Sequence, residues 1–330
     1  MEQKLNFVMV KIHFLNVGHG DCTIIEHASG NITMIDVNNG EELDSETGAE
    51  ISEALNYDPA LVYNAAHMQN LSPTDLLKNL GYSRELENPV RYFKNMFLGK
   101  HIFRYIQTHP DLDHMRGIAA LREEGINITN FWDTEHSKEP EEFIGDDKSH
   151  WDEYNNLRSG SGVTVLKLSR HAKNHYYNSH PVLNIDGDGI YILAPTSELT
   201  SQANESENWN NLSYVLMLVH NGIRVVFGGD AGSQVWDSIV EAANPKSELS
   251  CHILKASHHG RDSGYHEEVV KLMKPVYTIV SVGKKPEADA SNKYRQHTLN
   301  EVWSTRWKGN IISTIYDNGK FDISSQYANG

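Results

Sequence analysis

Cysteine is scarce in this chain: Cys22 and Cys251 are the two among 330 residues. So few thiols exclude a disulfide framework and fit a reducing, cytoplasmic compartment. Long apolar runs are missing too, and none approaches the roughly 20 residues that span a bilayer. The first residues, MEQKLNFVMVKIHFLNV, lack the basic-then-apolar order of a signal peptide, so no membrane contact is expected. Basic charge is in deficit, with 29 Lys and Arg against 44 Asp and Glu and a formal net charge of −15. That balance argues against a broad basic face for duplex DNA, although a local basic strip or bound metal ions can still hold a phosphodiester. There is no internal repeat and no low-complexity tract.

What is present describes a folded α/β protein. Hydrophobic residues make up 39% and charged residues 22%, and the length allows one large domain or two smaller ones. Two β-rich runs, Val10–Val17 and Cys22–Glu26, flank a Gly-rich GHGD turn, and NITMIDVNNG adds a short buried strand that ends at Asp36. Residues 41–99 change character, acidic first and then helical around DLLKNLGY and VRYFKNMFL, and read as an insertion. The run Ile102–Gln107 returns to strand, and a helix follows over Gly117–Glu124, closed by Gly125. Residues 133–180 are polar, His-rich and loop-like, with a helix near SHWDEYNNLR, and read as a second insertion. Strands resume with IYILAP and with SYVLMLVHNGIRVVFGGD around an Asn-Gly hairpin, then HILKAS, YTIVSVG and a last hairpin at Asn318-Gly319. Helices are expected near VWDSIVEAA and HEEVVKLM. Two β-rich halves, each followed by helix, predict a single domain spanning 1–330, folded as a four-layer αββα sandwich of two packed sheets with helices outside.

Three clusters carry chemistry. THPDLDH places His109, Asp111, Asp113 and His114 just after a strand, where α/β proteins build sites. Such a loop can offer one imidazole and one carboxylate to each of two divalent metals. Asp113 as the cap of the next helix explains one aspartate and neither histidine. VVFGGDAG ends an apolar strand on Asp230, whose two oxygens can bridge metals; taken alone, a turn role fits it as well. LKASHHGR sets His258 and His259 directly after a strand, so that one can ligate while the other bonds substrate or a ligand's outer nitrogen.

With FLNVGHGDC and MIDVNNG ahead of them, these clusters resemble the metallo-β-lactamase superfamily, and within it the soluble domain of the ComEC competence DNA-uptake group. The likeness runs in order through Asn16–Cys22, Ile35–Asp36, His109–His114, Asn210-Asn211-Leu212-Ser213, Gly229-Asp230, Lys255–Gly260 and Ser281–Gly283. It implies the αββα fold and a hydrolytic centre of two divalent ions, Zn²⁺ or Mn²⁺, with Mg²⁺ also admissible. The implied metal ligands or their immediate partners are His109, Asp111, Asp113, His114, Asp230 and either His258 or His259, with Asp36 buttressing the metal loop. Asp111 stands where the broader superfamily has His, which hardens that ligand set. The Asn210/Asn211 region replaces a further downstream His, which weakens one of the two metal positions. The chain departs from the pattern at His19, Cys22 and Arg261. Tyr294 and His297 match a last motif only loosely; they are candidate substrate contacts, or else a packed aromatic and a loop histidine.

A di-metal centre lowers the pKa of bound water and clamps the oxygens of the group attacked. Asp113 is then expected to orient or deprotonate the nucleophile, and Lys255, His259 or Arg261 to meet developing negative charge. The function implied is phosphodiester hydrolysis, first as a nuclease on single-stranded or open nucleic acid. The aromatic and amide-rich segment 150–180 can stack bases, or it is a solvated insert. The alternatives are an esterase for a small phosphodiester such as a cyclic nucleotide or phosphorylcholine, and a degenerate module that senses a nucleotide or a partner protein.

Overall fold

The computed structural model describes residues 9–39, 86–143, 145–178, 187–281 and 289–327. The helix expected over DLLKNLGY, most of the 41–99 segment and the residues 282–283 of the last matched motif lie outside them.

The first sheet has eight strands: β1 (Met9–Phe14), β2 (Thr23–Glu26), β3 (Ile32–Ile35), β4 (Ile102–Ile106), β5 (Ile128–Asp133), β6 (Thr164–Lys167), β13 (Ile311–Tyr316) and β14 (Phe321–Ser325). Their order is β14-β13-β1-β2-β3-β4-β5-β6. The second sheet has six: β7 (Ile190–Ala194), β8 (Val215–His220), β9 (Ile223–Phe227), β10 (Ile253–Lys255), β11 (Tyr277–Val280) and β12 (Glu301–Ser304), in the order β12-β11-β10-β9-β8-β7. In both, a parallel block continues from an antiparallel one. β3 through β6 run parallel in the first sheet, and β9 through β12 in the second.

The layering follows from which way each apolar residue points. Alternate residues of a strand face opposite sides of a sheet. Val10, Ile12 and Phe14 of β1 and Ile25 of β2 pack against Ile192, Leu216, Val225 and Phe227 in one core between the sheets. Their neighbours Ile24, Met34, Tyr105 and Phe131 face outward instead, under the helices α1 (Pro89–Met96), α2 (Ile118–Glu123) and α3 (Asp147–Arg158). On the far side, Met217, Val226, Leu254 and Val280 lie under α4 (Ser197–Ser206), α5 (Ser233–Ala242), α6 (Glu267–Met273) and α7 (Ser291–Arg295). Helix, sheet, sheet and helix are therefore separated by three apolar cores, which is the αββα sandwich expected from the sequence.

In the segment 133–180 the helix expected near SHWDEYNNLR is present as α3, and the departure from the loop-like reading is the strand β6. Helix α3 buries Trp151, Tyr154 and Leu157 against the first sheet, and β6 closes that sheet's edge in parallel register with β5. Its aromatics are thus spent on packing: Tyr177 enters the core between the sheets, and Tyr176 is the exposed one. A base-stacking platform built from Trp151, Tyr154 and Tyr177 is excluded by their burial. Among the described residues no helix is long and apolar enough to cross a membrane.

Candidate metal centre

The site forms where parallel strands of both sheets end. β3 stops at Ile35 and β4 at Ile106, side by side, and they deliver Asp36 and the 107–117 loop. Across the sandwich β9 stops at Phe227 and β10 at Lys255, delivering Asp230 and the His258-His259 pair. Asp36, His258 and His259 adopt left-handed backbone conformations, with φ of 55°, 48° and 57°, three of the seven non-glycine residues that do so among those described. Such strain persists where surrounding contacts overdetermine it, and it clusters at functional sites.

Asp36 is the hub of the loop. Its Oδ1 accepts from the Thr108 N–H at 2.8 Å, and its Oδ2 from the Thr108 hydroxyl and from His114 Nδ1, each at 2.7 Å. Because the Thr108 hydroxyl donates to Asp36, its lone pairs are left for His109 Nδ1, 3.1 Å away. Both imidazoles are thereby held with Nδ1 protonated and the Nε2 lone pair turned inward, the tautomer a metal ligand needs.

With no metal bound, these Nε2 atoms face carboxylates, which favour the protonated imidazole. His114 Nε2 lies 3.3 Å from Asp230 Oδ1 and 3.8 Å from Asp113 Oδ2; His109 Nε2 lies 3.6 Å from Asp111 Oδ2 and 3.9 Å from Asp230 Oδ2. His259 Nε2 lies 3.1 Å from Asp113 Oδ2 and 3.4 Å from Asp230 Oδ2. Desolvation opposes charge on these buried groups, yet the mutual attraction outweighs it. It holds Asp113 and Asp230 well below the usual carboxylate range and His114 well above the usual histidine value. For Asp111, burial is likewise overridden, by His109 and then Lys138, which hold it down at about 2.

The turn between β1 and β2 contributes two groups that the sequence reading passed over. His19 Nε2 lies 3.4 Å from Asp113 Oδ2, and Asp21 Oδ2 lies 3.7 Å from His259 Nδ1. Gly20 makes this approach feasible: its φ is +122°, and a Cβ there would sit 2.3 Å from the Asp113 carbonyl oxygen. A carboxylate and an imidazole inside a Gly-rich turn were the available signal.

The remaining candidates divide. His259 is fully buried at the centre, whereas His258 is partly exposed, with Nε2 3.7 Å from Asp230 Oδ2 and Nδ1 2.7 Å from the Ser263 hydroxyl. Lys255 is buried behind the site, its Nζ 2.7 Å from Asp21 Oδ1 and 2.8 Å from the Ser281 hydroxyl, and it does not line the cavity. It braces Asp21 rather than facing a substrate. The Asn211 amide donates to Gln234 at 2.9 Å, and neither Asn210 nor Asn211 lines the cavity; their neighbour Ser213 touches the site, accepting the Asp230 N–H at 3.0 Å. Tyr294 is buried against Tyr265, and His297 lies beside Glu267, so neither reaches the cavity.

At the centre opens a cavity of about 270 Å³, lined by the acidic and imidazole groups of Asp111, Asp113, Asp230, His19 and His258 and by the basic side chains of Arg116, Lys138 and Arg261. His109 Nε2, His114 Nε2 and Asp230 Oδ1 are buried and make no hydrogen bond, although carboxylate or imidazole atoms stand nearby. Buried polar atoms are rarely left so. Three of them converging in a His/Asp set, with tautomers fixed from behind, fit a divalent cation. Donor groups that close to within 4.8 Å of one another are Asp21, His114, Asp230 and His259, and His19, Asp113 and His259.

No protein-family model matches the chain, and no curated protein matches it in sequence. Among solved structures it is similar to the metallo-β-lactamase fold protein YhfI from Bacillus subtilis, at 9% identity and a TM-score of 0.43, over 95% of this chain and 100% of that one. The αββα assignment rests on the three cores and the strand order, independently of that likeness.

Proposed function

We propose that this protein is a metal-dependent phosphodiester hydrolase of the metallo-β-lactamase superfamily, related to the ComEC group, and that its substrate is a single-stranded or open nucleic acid. The observation that carries the proposal is the convergence of His109 Nε2, His114 Nε2 and Asp230 Oδ1, buried and without a hydrogen bond, beside a cavity whose lining includes Arg116, Lys138 and Arg261. Divalent ions, Zn²⁺ or Mn²⁺, supply an activated water and Lewis acidity when bound.

The chain's own residues do the rest. His109, His114, Asp113, Asp230 and His259 would hold the ions, with Asp111 at the cavity side; of the two consecutive histidines, His259 rather than His258 would be the ligand. Asp36 sets both imidazole tautomers, as its three short hydrogen bonds require. Asp113, fixed between His19 and His259, orients the nucleophile and takes its proton. His258 and Arg261, at the cavity, meet charge developing on the phosphoryl oxygens. The net charge of −15 disfavours duplex DNA, so a single or open strand held at the cavity is the better match. The whole chain acts as one domain, in a cytoplasmic setting that suits its two buried free thiols.

A second reading, hydrolysis of a small phosphodiester, is favoured by the modest cavity and by the loss of Trp151, Tyr154 and Tyr177 as stacking groups. The test is cleavage of end-labelled single-stranded DNA and RNA, and of a small aryl phosphodiester, with Mn²⁺, Mg²⁺ or Zn²⁺ added, against Asp113→Ala as blank. Strand cleavage absent from the blank supports the nuclease, and turnover of the aryl ester alone supports the second reading. No metal-dependent turnover of any of them refutes both.

A further inference from the structure

The loop after β5 carries one more charge into the centre. Lys138 Nζ lies 2.5 Å from Asp111 Oδ1, while the other oxygen of Asp111 faces His109 Nε2 at 3.6 Å. The donor groups that close most tightly, around His114, Asp230 and His259 and around Asp113, include neither His109 nor Asp111. The centre is therefore lopsided. One part rests on Asp113 and Asp230, its lysine, Lys255, lying behind it on Asp21; the other rests on His109 and on Asp111, which has the Lys138 ammonium on it at the cavity.

That cation is not a surface lysine settling by chance. The Lys138 N–H donates to His136 Nδ1 at 3.1 Å, which leaves His136 Nε2–H to donate to the Tyr154 hydroxyl at 2.6 Å. Tyr154 donates in turn to Asp133 Oδ1 at 2.6 Å, and Arg158 Nε to Asp133 Oδ2 at 2.8 Å. One residue before Lys138, the Ser137 N–H donates to Asn204 of α4 at 2.9 Å. The backbone that aims Lys138 is thus tied to helices on both sides of the sandwich.

We propose that Lys138 is a built-in competitor for the second metal position: its ammonium occupies Asp111, so that the centre binds one divalent ion tightly and a second one only as Lys138 is displaced. This rests on the metal-binding reading of the site. Two cations on one carboxylate repel, so removing the ammonium strengthens the second ion's hold, whereas removing the carboxylate abolishes it. The cavity wall offers Lys138 an alternative, since an anionic substrate between Arg116 and Arg261 can draw it off Asp111 and admit the second ion.

The experiment is titration of the metal-stripped full chain with Mn²⁺, counting bound ions by calorimetry and by the electron paramagnetic resonance of free Mn²⁺, with circular dichroism to check folding. The native chain should bind one ion at least tenfold more tightly than a second. Lys138→Met should strengthen the second ion at least tenfold, Lys138→Arg should match the native chain, and Asp111→Asn should lose the second ion alone. Two equally tight ions in the native chain, or a second ion unchanged by Lys138→Met, overturn the competitor role while leaving the metal centre standing. No bound ion in the native chain, or binding unaffected by Asp113→Asn, overturns the metal reading and this proposal with it.

Discussion

Replacing Asp36 by Asn tests the hub of the site, because it keeps the shape and removes one acceptor. With the amide oxygen kept on the Thr108 N–H, the NH₂ group faces the Thr108 hydroxyl and His114 Nδ1, both of which donate to Asp36 at 2.7 Å. The hydroxyl can rotate and accept. The imidazole cannot accept without moving its proton to Nε2, the atom turned toward Asp230. Either the Nδ1–H is stranded in a buried place, or the tautomer changes and the inward lone pair is lost. A hydrogen bond to a charged group contributes about 1.5–3 kcal/mol, and stranding a buried donor adds to that, so a loss of about 2–4 kcal/mol is expected. Substituting a carboxylate that orients a ligand histidine lowers metal affinity about 10- to 100-fold. Urea denaturation in the presence of chelator reads the first effect, and competition with a chelating dye reads the second. Stability within about 0.5 kcal/mol of the native chain together with unchanged metal affinity would refute the role assigned to Asp36.

Other expectations test the frame around the site. Gly20→Ala forces a Cβ to 2.3 Å from the Asp113 carbonyl at a φ of +122°, and should lower stability by about 2 kcal/mol or more, read as an earlier urea midpoint. Arg104→Ala leaves Asp188, its buried partner at 3.0 Å, without its guanidinium, with Ser29 and Asn31 still donating to it, and should reduce stability by about 3–5 kcal/mol in the same assay. His136 is held down to about 3 from 6.5 by burial, with Arg158 and Lys138 adding to the effect. The unfolded chain therefore binds its proton first. Its contribution is whole above pH 6.5 and shrinks as pH falls toward 3, by about 2 kcal/mol at pH 5. His136→Gln should flatten the stability profile between pH 6.5 and 5, and an unchanged slope would contradict this account.

The layers were legible because β1, β2, β8 and β9 alternate cleanly between two apolar faces, as Val10, Ile12 and Phe14 against Lys11 and His13 illustrate. β6 escaped notice because TVLK is an edge strand with exposed ends, and its pattern carries little apolar contrast. α4 escaped for a similar reason: SELTSQANES buries only Leu199 and Ala203, and its start is set by Thr196, whose hydroxyl accepts the Leu199 N–H. The aromatics of 150–180 misled in the opposite direction. Their density suggested an exposed stacking surface, whereas the α3 residues Trp151, Tyr154 and Leu157 recur at helical spacing and pack inward.

The same contrast governs the site. Residues contiguous with a strand end, such as His109, His114, Asp230 and His259, could be found by spacing, since the strand itself fixes where they emerge. Lys138 could not, because nothing local to it reports the approach of another loop, and His19 offered only its place in a Gly-rich turn. Lys138 reaches Asp111 through the His136–Tyr154–Asp133 chain, and His19 reaches Asp113 because Gly20 permits close contact. The local pattern therefore supplies the donors, and long-range packing decides how many cations they are free to hold. A count of His and Asp in the motif suggests two metal positions; the ammonium on Asp111 is what the proposed competition would use to make them unequal.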